Sequence, residues 1–309
     1  MDEKIKGYLM CFFGVFTWSF SEIIVKFLQG QVGPVSLSFL RFFIGGIFLL
    51  LLMAVQRDMS DLKPLVLKNA KLLIIASMIG LGVSNVIYFA GIQLTQANVG
   101  SALYTTYPIF VSIYGIFILG EKSNLKKKMI GYIIGFTGTL ILMTDLQFEL
   151  LIAPENILGN ILLVIAAAIW SLYSVLGKKI FRSNPEISNV ETKYTMVSFF
   201  LSCVPIFLIL VVTPEFDGFL KYSGSEWLII LILACFSTAF GLFIFFLGVR
   251  KLEVAQGISL ALLKPVMVTI FAFFILEELP TFALIIAIPL VSLAVLLINN
   301  AIKIRRETS

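Results

Sequence analysis

The sequence contains no histidine, and only 13% of its 309 residues are charged. Without histidine the chain cannot build an HExxH metal site or a Ser-His-Asp catalytic relay. It also has no Walker A sequence, and no apolar segment carries the paired acidic residues of a catalytic dyad. These absences argue against an integral membrane enzyme and against a pump driven by nucleotide hydrolysis, and they predict no metal and no other cofactor.

Cysteine is also scarce. Cys11, Cys203 and Cys235 stand alone in apolar stretches, and no two of them have the CxxC spacing of a redox or metal site. We expect all three to be packing residues.

Apolar residues, by contrast, make up 59% of the chain, and the mean hydropathy is +1.02. Soluble domains carry about a quarter charged residues, so this composition predicts an all-α integral membrane protein. Unbroken runs such as "IFLLLLMAV" exclude transmembrane β-strands, which alternate in polarity. At roughly 20 residues per crossing we predict ten transmembrane helices, although eight or nine also fit. Their approximate bounds are 6–28, 33–55, 70–92, 97–119, 126–144, 157–177, 193–213, 226–247, 256–277 and 281–301.

The basic residues between these spans predict the orientation. With a cytoplasmic N-terminus, nearly all loop cations lie on the inner side and only Lys221 lies outside. By the positive-inside rule both termini then face the cytoplasm, and the protein is a multi-pass protein of the cell membrane. We expect the inner cations to lie near anionic headgroups, which leaves no need for a nucleic-acid partner. They include Lys4, Lys6, Arg57, Lys63, Lys68, Lys71, Lys122, Lys126, Lys127, Lys128, Lys178, Lys179, Arg182, Lys193, Arg250 and Lys251.

The second half of the chain repeats the first. "GIQLTQANVGSALYTTYPIFVSIYGIFILGE" from Gly91 aligns without gaps with "GVRKLEVAQGISLALLKPVMVTIFAFFILEE" from Gly248. At this offset of 157 residues Pro108 meets Pro265 and Glu121 meets Glu278. Upstream, "TWSFSEIIVK" at 17–26 matches "IWSLYSVLGK" at 169–178.

These matches predict two homologous five-helix halves, 6–145 and 157–301, with an external linker at 146–156. Because five is odd, the second half enters the membrane upside down. Inverted repeats of this kind are typical of secondary transporters, which alternate access around a site at the repeat interface.

The duplicated pattern of a small-residue start, a mid-helix proline and a terminal glutamate resembles the drug/metabolite transporter superfamily, in particular its EamA-type members. "ANVGSALYTTYPIFVSIYGIFILGE" and "AQGISLALLKPVMVTIFAFFILEE" carry this resemblance, with "WS" in spans one and six. It implies export or uptake of small organic metabolites such as amino acids by alternating access. It also implies a cavity lined mainly by spans 1, 3, 4, 6, 8 and 9.

Lys264 lies near the midpoint of span nine, and its repeat mate is Tyr107. A charge at this depth costs about 2.5–3.5 kcal/mol even on the lenient insertion scale, so we expect Lys264 to bind an anionic group of the substrate. A second interpretation is that a buried carboxylate holds Lys264 to lock helices together. Pro108 and Pro265 are the shared scaffold elements beside the two mates, because each removes a backbone donor.

Glu22 in span one shares a helix face with Trp18 and Lys26. It either forms a local pair with Lys26 or faces the cavity, where it would hold a substrate ammonium, balance Lys264 or take up a coupling proton. Arg41, a third of the way into span two, is expected to pair with Glu22 as a structural tie rather than to contact the substrate.

Polar and aromatic residues at similar depth are candidate walls for an apolar or aromatic part of the substrate. Trp18 and Trp170 stand near the membrane centre, away from the interfaces where tryptophan is common. The remaining candidates are Tyr88, Tyr104, Tyr107, Tyr173, Asn85 and Ser174.

Glu121 and Glu278 end spans four and nine, and we expect them to tie helix ends and loops together, with a possible role as gates. Gly131, Gly135 and Gly138 form a small-xxx-small surface that fits packing within the monomer or between monomers. Both a monomer and a homodimer are therefore compatible with the sequence.

The leading functional hypothesis is a carrier of amino acids or related carboxylated small molecules. A sugar-phosphate or nucleotide-sugar exchanger would need several converging cations, and a lipophilic-cation exporter would need a buried acid without a midplane lysine. A channel fits less well, since inverted repeats with mid-helix prolines and one central cation favour a binding site over a pore.

Overall fold

A computed structural model describes residues 2–28, 30–95, 97–151, 153–277, 279 and 281–299, with only the backbone of Glu22, Lys26, residues 97–99, Ser101 and Leu150. Every regular element in this part of the chain is helical, which confirms the all-α prediction. The α-helices are α1 Glu3–Phe27, α2 Pro34–Val55, α3 Leu62–Ile74, α4 Ser84–Gln93, α5 Ala97–Tyr104, α6 Tyr107–Leu119, α7 Leu125–Thr144, α8 Ile157–Ser183, α9 Val190–Val212, α10 Glu215–Gly218, α11 Gly224–Ile232, α12 Gly241–Lys251, α13 Val254–Ser259, α14 Lys264–Leu276 and α15 Phe282–Ile298.

Eight helical stretches among the described residues are long and apolar enough to cross a membrane. The two other predicted spans correspond to α7, whose first turn carries three lysines, and to α15, which is apolar but has 17 residues. The eight stretches are Glu3–Val25, Pro34–Val55, Leu62–Gln93, Ala102–Leu119, Ile157–Ser183, Val190–Val212, Gly224–Lys251 and Val254–Leu276.

The fourth and ninth predicted spans are each broken beside their proline. Helix α5 ends at Tyr104, and α6 begins at Tyr107 with Pro108 in its first turn. Likewise α13 is followed by a 3₁₀ turn at Leu260–Leu263, and α14 begins with Pro265 in its first turn. Proline starts a helix well but cannot continue one, because it lacks the N–H and clashes with the preceding turn.

Two π-helical segments, which the sequence pattern does not predict, lie at equivalent places in the two halves. The first covers Ile75–Val83 and the second Leu233–Phe240. The first packs on α8 and α9, and the second packs on α1 and α2. Each π-helical segment therefore contacts the first two helices of the other half of the chain. π-helical turns are rare and are frequently found at functional sites.

Small residues allow the first π-helical segment to approach its partners closely. A Cβ atom on Gly80 would lie 2.9 Å from the backbone nitrogen of Tyr173, and one on Gly82 would lie 2.5 Å from Cγ of Pro205. Glycine is therefore required at both positions for this packing.

The glycine stripe of α7 packs within the chain. A Cβ on Gly131 would meet Ile298 and one on Gly138 would meet Leu290, both on α15. Of the two interpretations of this stripe, packing inside the monomer is the one observed. It joins the last helix of the first half to the last helix of the second, while α1 packs on α12, α2 on α9 and α4 on α8.

Candidate functional site

Five of the predicted aromatic residues form one continuous row of ring contacts. Ring centroids are 4.7 Å apart for Tyr88 and Tyr104, 5.8 Å for Tyr104 and Tyr107, and 4.7 Å for Tyr107 and Trp170. Trp170 then contacts Tyr173 at 6.4 Å. We call Tyr88, Tyr104, Tyr107 and Trp170 the aromatic row. Its tilted and edge-on geometries are the ones that aromatic quadrupoles favour.

The break before Pro108 positions the row. It places Tyr104 at the end of α5, where its ring contacts Tyr88 of α4, and Tyr107 at the start of α6, where its ring contacts Trp170 of α8. The Ser171 hydroxyl donates a hydrogen bond of 2.9 Å to the Tyr107 carbonyl and thereby fixes α6 to α8. Thr105 and Thr106, in the break itself, donate their hydroxyls to carbonyls of the preceding turn.

Tyr173 and Ser174, which the sequence predicts as lining residues, are buried in the core of this structure. Both are 0% exposed. The Tyr173 ring stacks on Tyr194 at 5.3 Å and meets Phe246 edge-on at 5.2 Å. Tyr194 also donates its hydroxyl to the Tyr173 carbonyl at 2.6 Å. Tyr173 thus joins the row to the buried core through Trp170, and the role of Tyr173 and Ser174 in lining a cavity stays a prediction.

Trp18 forms a second aromatic contact, on the α12 side of the bundle. Its ring centroid lies 4.7 Å from that of Phe245. Gly241 makes room for it, since a Cβ there would lie 2.9 Å from the indole nitrogen. The preceding residue is anchored as well, because Ser237 of the second π-helical segment donates to the Thr17 carbonyl at 2.7 Å.

Arg41 meets Asn85 beside the aromatic row. Its Nη2 donates to Oδ1 of Asn85 at 3.2 Å, and its Cζ lies 4.7 Å from the Phe42 ring centroid. Asn85 in turn donates its amide to the Leu81 carbonyl at 2.7 Å. Asn85 lies three residues before Tyr88 on α4, so Arg41 contacts the helix that carries one end of the row. The sequence did not predict this partnership.

Lys264 is the first residue of α14 and is half-buried, while the adjacent Pro265 is buried. Helix α14 packs on α1, where the Ser19 hydroxyl lies 3.6 Å from the Met267 sulfur. The side chains of Glu22 and Lys26 and the whole of Glu278 lie outside the described residues, so the expected contacts of these three, including the pair of Arg41 with Glu22, stay predictions.

Ion pairs join the two halves at the end of the bundle where α2, α6, α8 and α12 finish. We call them the ion-pair layer. Lys193 Nζ lies 2.7 Å from Asp58 Oδ1, and Lys68 lies 3.5 Å from Glu186. The other pairs between the halves are Arg182 with Glu121, Lys128 with Glu253 and Lys251 with Glu3. Glu191 and Arg250, both in the second half, pair at 3.0 Å.

Three lysines in this region are buried, so their prediction as headgroup-facing cations was wrong. Lys193 is 0%, Lys128 2% and Lys178 3% exposed. Lys178 donates to the carbonyls of Val249, Arg250 and Leu252, the last two at 2.7 and 2.8 Å. The final carbonyls of a helix have no partner within the helix, and the Lys178 ammonium supplies one at the C-terminal end of α12.

Glu121 ties three elements together, as its place at the end of span four suggested. Its carboxylate pairs with Arg182 of α8 and accepts a hydrogen bond of 2.9 Å from the Val254 amide, the first of α13. Burial raises the pKa of Glu121; Arg182 opposes this and the nearby Glu253 adds to it.

The pKa of Asp58 is shifted in the opposite direction from that of Glu121. Burial acts to raise its pKa, but hydrogen bonds from Lys193, Ser188 and Asn189 outweigh burial and leave the pKa below its usual value.

Among the described residues no group of three His, Cys, Asp or Glu could hold a metal ion.

Comparison with known proteins finds a family match in each half of the chain and a solved structure with the same fold. The family described as the EamA-like transporter family matches the chain twice, over residues 5–144 and 157–300. A solved crystal structure that is 21% identical superposes with a TM-score of 0.78 over 96% of both chains, which shows a shared fold.

Individual relatives are also named as transporters. The uncharacterized transporter YyaM of Bacillus subtilis is 25% identical over 303 residues, which cover 98% of this chain and 96% of YyaM. An uncharacterized transporter of Clostridium kluyveri is 25% identical over 278 residues, with 88% and 86% covered. The aromatic amino acid exporter YddG of Ancylobacter novellus is 23% identical over 183 residues, with 59% and 60% covered.

Proposed function

Because this chain belongs to the EamA-like transporter family, we propose that it is a carrier that moves amino acids or related carboxylated compounds across the cell membrane by alternating access. Its membrane-spanning helices and its relatives named as transporters support a transporter over an enzyme. The relative named as an aromatic amino acid exporter favours aromatic amino acids within this class.

We also propose ten spans, cytoplasmic termini and two inverted repeats at 6–145 and 157–301, joined by an external linker at 146–156. Matching features of the halves support the repeat. The two proline breaks and the two π-helical segments fall at offsets of about 157 residues. Helix α6 is followed by the capping residue Gly120 with a φ of 70°, and α14 by the capping residue Glu277 with a φ of 58°, again at that offset.

The observation that carries the substrate proposal is the aromatic row at the proline break. In the second half of the chain, Lys264 occupies the position that corresponds to Tyr107. Tyr104 and Trp170, which are half-buried, would offer ring faces and edges to an aromatic side chain, with the buried Tyr107 between them. Lys264 would take the carboxylate, Glu22 the ammonium or a proton, and Trp18 the opposite wall. A zwitterionic substrate needs a partner for each of its charges near an apolar surface, and Lys264 and Glu22 would be those partners.

In this orientation the ion-pair layer lies at the cytoplasmic end of the bundle. Its pairs connect the two halves, which must separate there when the carrier opens inward. We therefore assign the structure to a state that is closed toward the cytoplasm.

The proposal is tested by uptake into proteoliposomes with labelled phenylalanine, tryptophan, leucine, a sugar phosphate and a lipophilic cation. Transport of the amino acids, with Lys264→Met weakening their affinity about tenfold or more and Lys264→Arg weakening it less, supports the proposal. Transport of only the sugar phosphate or the cation would replace it with one of the competing carriers. Unchanged amino acid affinity in Lys264→Met would remove Lys264 from the site.

A further inference from the structure

A cavity of about 310 Å³ opens at the end of the bundle opposite the ion-pair layer. The first half of the chain lines it with Gln31 and Gly33, which precede α2, and the second half lines it with the connection from α9 to α11. This volume is at the lower end of the range of small-ligand sites, about 300–1,000 Å³. None of the lining residues belongs to the aromatic row. The cavity is therefore separate from the candidate substrate site.

One wall of the cavity is the Glu215 carboxylate, which is held at the N-terminus of α2. It accepts hydrogen bonds from the backbone amides of Val35 and Ser36, at 3.4 and 2.8 Å. Gly33 leaves room for it, since a Cβ atom at that position would overlap the carboxylate. The free amides at a helix N-terminus favour an anion, so the charge of Glu215 is offset within the protein.

A second carboxylate of the cavity, that of Glu226, is fixed by the start of α11. Its Oε2 accepts a hydrogen bond of 2.5 Å from the Ser223 amide, and the Ser223 hydroxyl accepts one of 3.5 Å from the Glu226 amide. This reciprocal pair is a capping box. The Tyr222 ring, which also lines the cavity, contacts the Trp227 ring at 5.9 Å. The segment from Tyr222 to Trp227 is therefore ordered by its own contacts.

Lys221 supplies the positive charge of the cavity. It is the one loop cation that the sequence places on the outer side. Its side chain is exposed, and no hydrogen bond or ion pair joins its ammonium to any described residue, Glu226 included. Because α2 offsets the charge of Glu215, the cavity presents one cation and one carboxylate, Lys221 and Glu226, that do not neutralise each other. A ligand that carries both an anionic group and an ammonium complements this pair.

The rim of the cavity is apolar and aromatic, as at the boundary of a membrane. Phe216, Leu220 and Leu228, which lie in or next to the connection from α9 to α11, are 41%, 54% and 59% exposed. Tryptophan and tyrosine are enriched at the level of lipid headgroups, and the Tyr222 and Trp227 pair belongs to the same segment. Helix α2 also begins its crossing beside the cavity. In the proposed topology the cavity therefore lies at the headgroup level of the outer leaflet. A water-soluble ligand does not need this apolar rim, whereas a phospholipid can lay its acyl chains along it.

We propose that this cavity binds the headgroup of a zwitterionic phospholipid with a primary ammonium, phosphatidylethanolamine. Lys221 binds the phosphate and Glu226 binds the ammonium. A primary ammonium donates charge-assisted hydrogen bonds to a carboxylate, which the quaternary ammonium of phosphatidylcholine cannot do because it has no N–H. Since both halves of the chain line the cavity, a bound headgroup contacts both of them at the end opposite the ion-pair layer. The lipid site uses the proposed topology but does not depend on which substrate is carried.

The test measures melting temperatures of the purified protein in detergent with added phosphatidylethanolamine, phosphatidylcholine or phosphatidylglycerol, and with water-soluble phosphoethanolamine. Lys221→Met removes the cation, and Glu226→Gln removes the negative charge but keeps an oxygen for the capping box. Lys63→Met is the matched control, because Lys63 is an exposed lysine in the first turn of α3 and does not line the cavity. Melting temperatures without lipid show that each variant is folded.

We expect phosphatidylethanolamine to raise the melting temperature of the wild type by about 3 °C or more above that in phosphatidylcholine. Lys221→Met and Glu226→Gln should lose this difference, and Lys63→Met should keep it. Equal effects of the two lipids on the wild type, or an unchanged difference in both cavity variants, would overturn the proposal. A larger effect of phosphatidylglycerol would show that negative charge alone is recognised, and an equal effect of phosphoethanolamine would assign the cavity to a soluble ligand; either result also overturns it. Amino acid transport, measured separately in proteoliposomes, is untouched by these outcomes.

Discussion

Lys193 and Asp58 form a pair whose removal has a calculable and asymmetric cost. The Lys193 ammonium is 0% exposed and donates to Asp58 Oδ1 at 2.7 Å and to the Ser188 carbonyl at 2.8 Å. Asp58, 12% exposed, also accepts from Ser188 Oγ at 2.6 Å and from Asn189 Nδ2 at 2.7 Å. The pair joins the α2 to α3 connection with the α8 to α9 connection.

Removing the carboxylate is predicted to cost more than removing the ammonium. Asp58→Ala leaves a fully buried cation with neutral acceptors only, and breaking a buried pair in this way costs about 3–5 kcal/mol. Lys193→Met leaves a carboxylate that keeps its Ser188 and Asn189 donors and some contact with water, so we expect a loss of about 1–3 kcal/mol. The double variant should lose less than Asp58→Ala alone, because no uncompensated charge remains.

Free energies of unfolding in mixed detergent micelles measure these losses. Glu186→Ala is the matched control, since the Lys68 and Glu186 side chains are 57% and 62% exposed and such pairs contribute about 0–1 kcal/mol. The reasoning is refuted if Asp58→Ala costs no more than Glu186→Ala, or if the double variant loses the sum of the single losses. Because the pKa of Asp58 is lowered in the folded state, its contribution is present above its unfolded pKa and is lost only as the pH falls through the folded value.

Two further predictions concern Glu121 and Gly82. Burial raises the pKa of the Glu121 carboxyl in the folded protein. A carboxyl with a raised folded-state pKa stabilises the fold at pH values below its unfolded pKa of about 4.5. This stabilisation is lost as the pH rises through the folded-state pKa. Arg182→Ala is therefore expected to lower the free energy of unfolding more at pH 8 than at pH 5, and equal losses at both would contradict this account. Gly82→Ala puts a Cβ 2.5 Å from Pro205 Cγ and should cost about 1–3 kcal/mol in the same assay, whereas Gly218→Ala, with nothing within 4 Å, should change stability by less than about 0.5 kcal/mol.

The large features of this fold are predictable because they follow from rules that act along the chain. A helix that crosses hydrocarbon must be apolar over a fixed length, and a proline must end one helix and begin another. The breaks beside Pro108 and Pro265 and the repetition between the halves are therefore visible in the sequence. The two π-helical segments are not, because their extra residue per turn depends on contacts such as that of Gly80 with Tyr173.

Side-chain direction is where the sequence was insufficient. Lys178 and Lys179 are neighbours at the end of α8, yet the first is buried beneath α12 and the second is exposed. A lysine stem is long enough to reach either water or a buried carbonyl, so closeness to a helix end does not distinguish the two. Depth along the chain predicts Glu22 as a partner of Arg41, and that pair stays a prediction, whereas the observed contact of Arg41 with Asn85 depends on how α2 and α4 face each other.

Different contacts join the two halves at the two ends of the bundle, and the distribution of charge explains why. Topology requires cations at the proposed cytoplasmic end, and once they are there, carboxylates such as Asp58 and Glu121 can clamp the halves through ion pairs. At the opposite end Glu215 accepts hydrogen bonds from the backbone amides of Val35 and Ser36, at 3.4 and 2.8 Å, and so uses the N-terminus of α2 as its positive partner. In the proposed inverted repeat the two halves are therefore joined at the cytoplasmic end by charged side chains and at the opposite end by a carboxylate on a helix N-terminus.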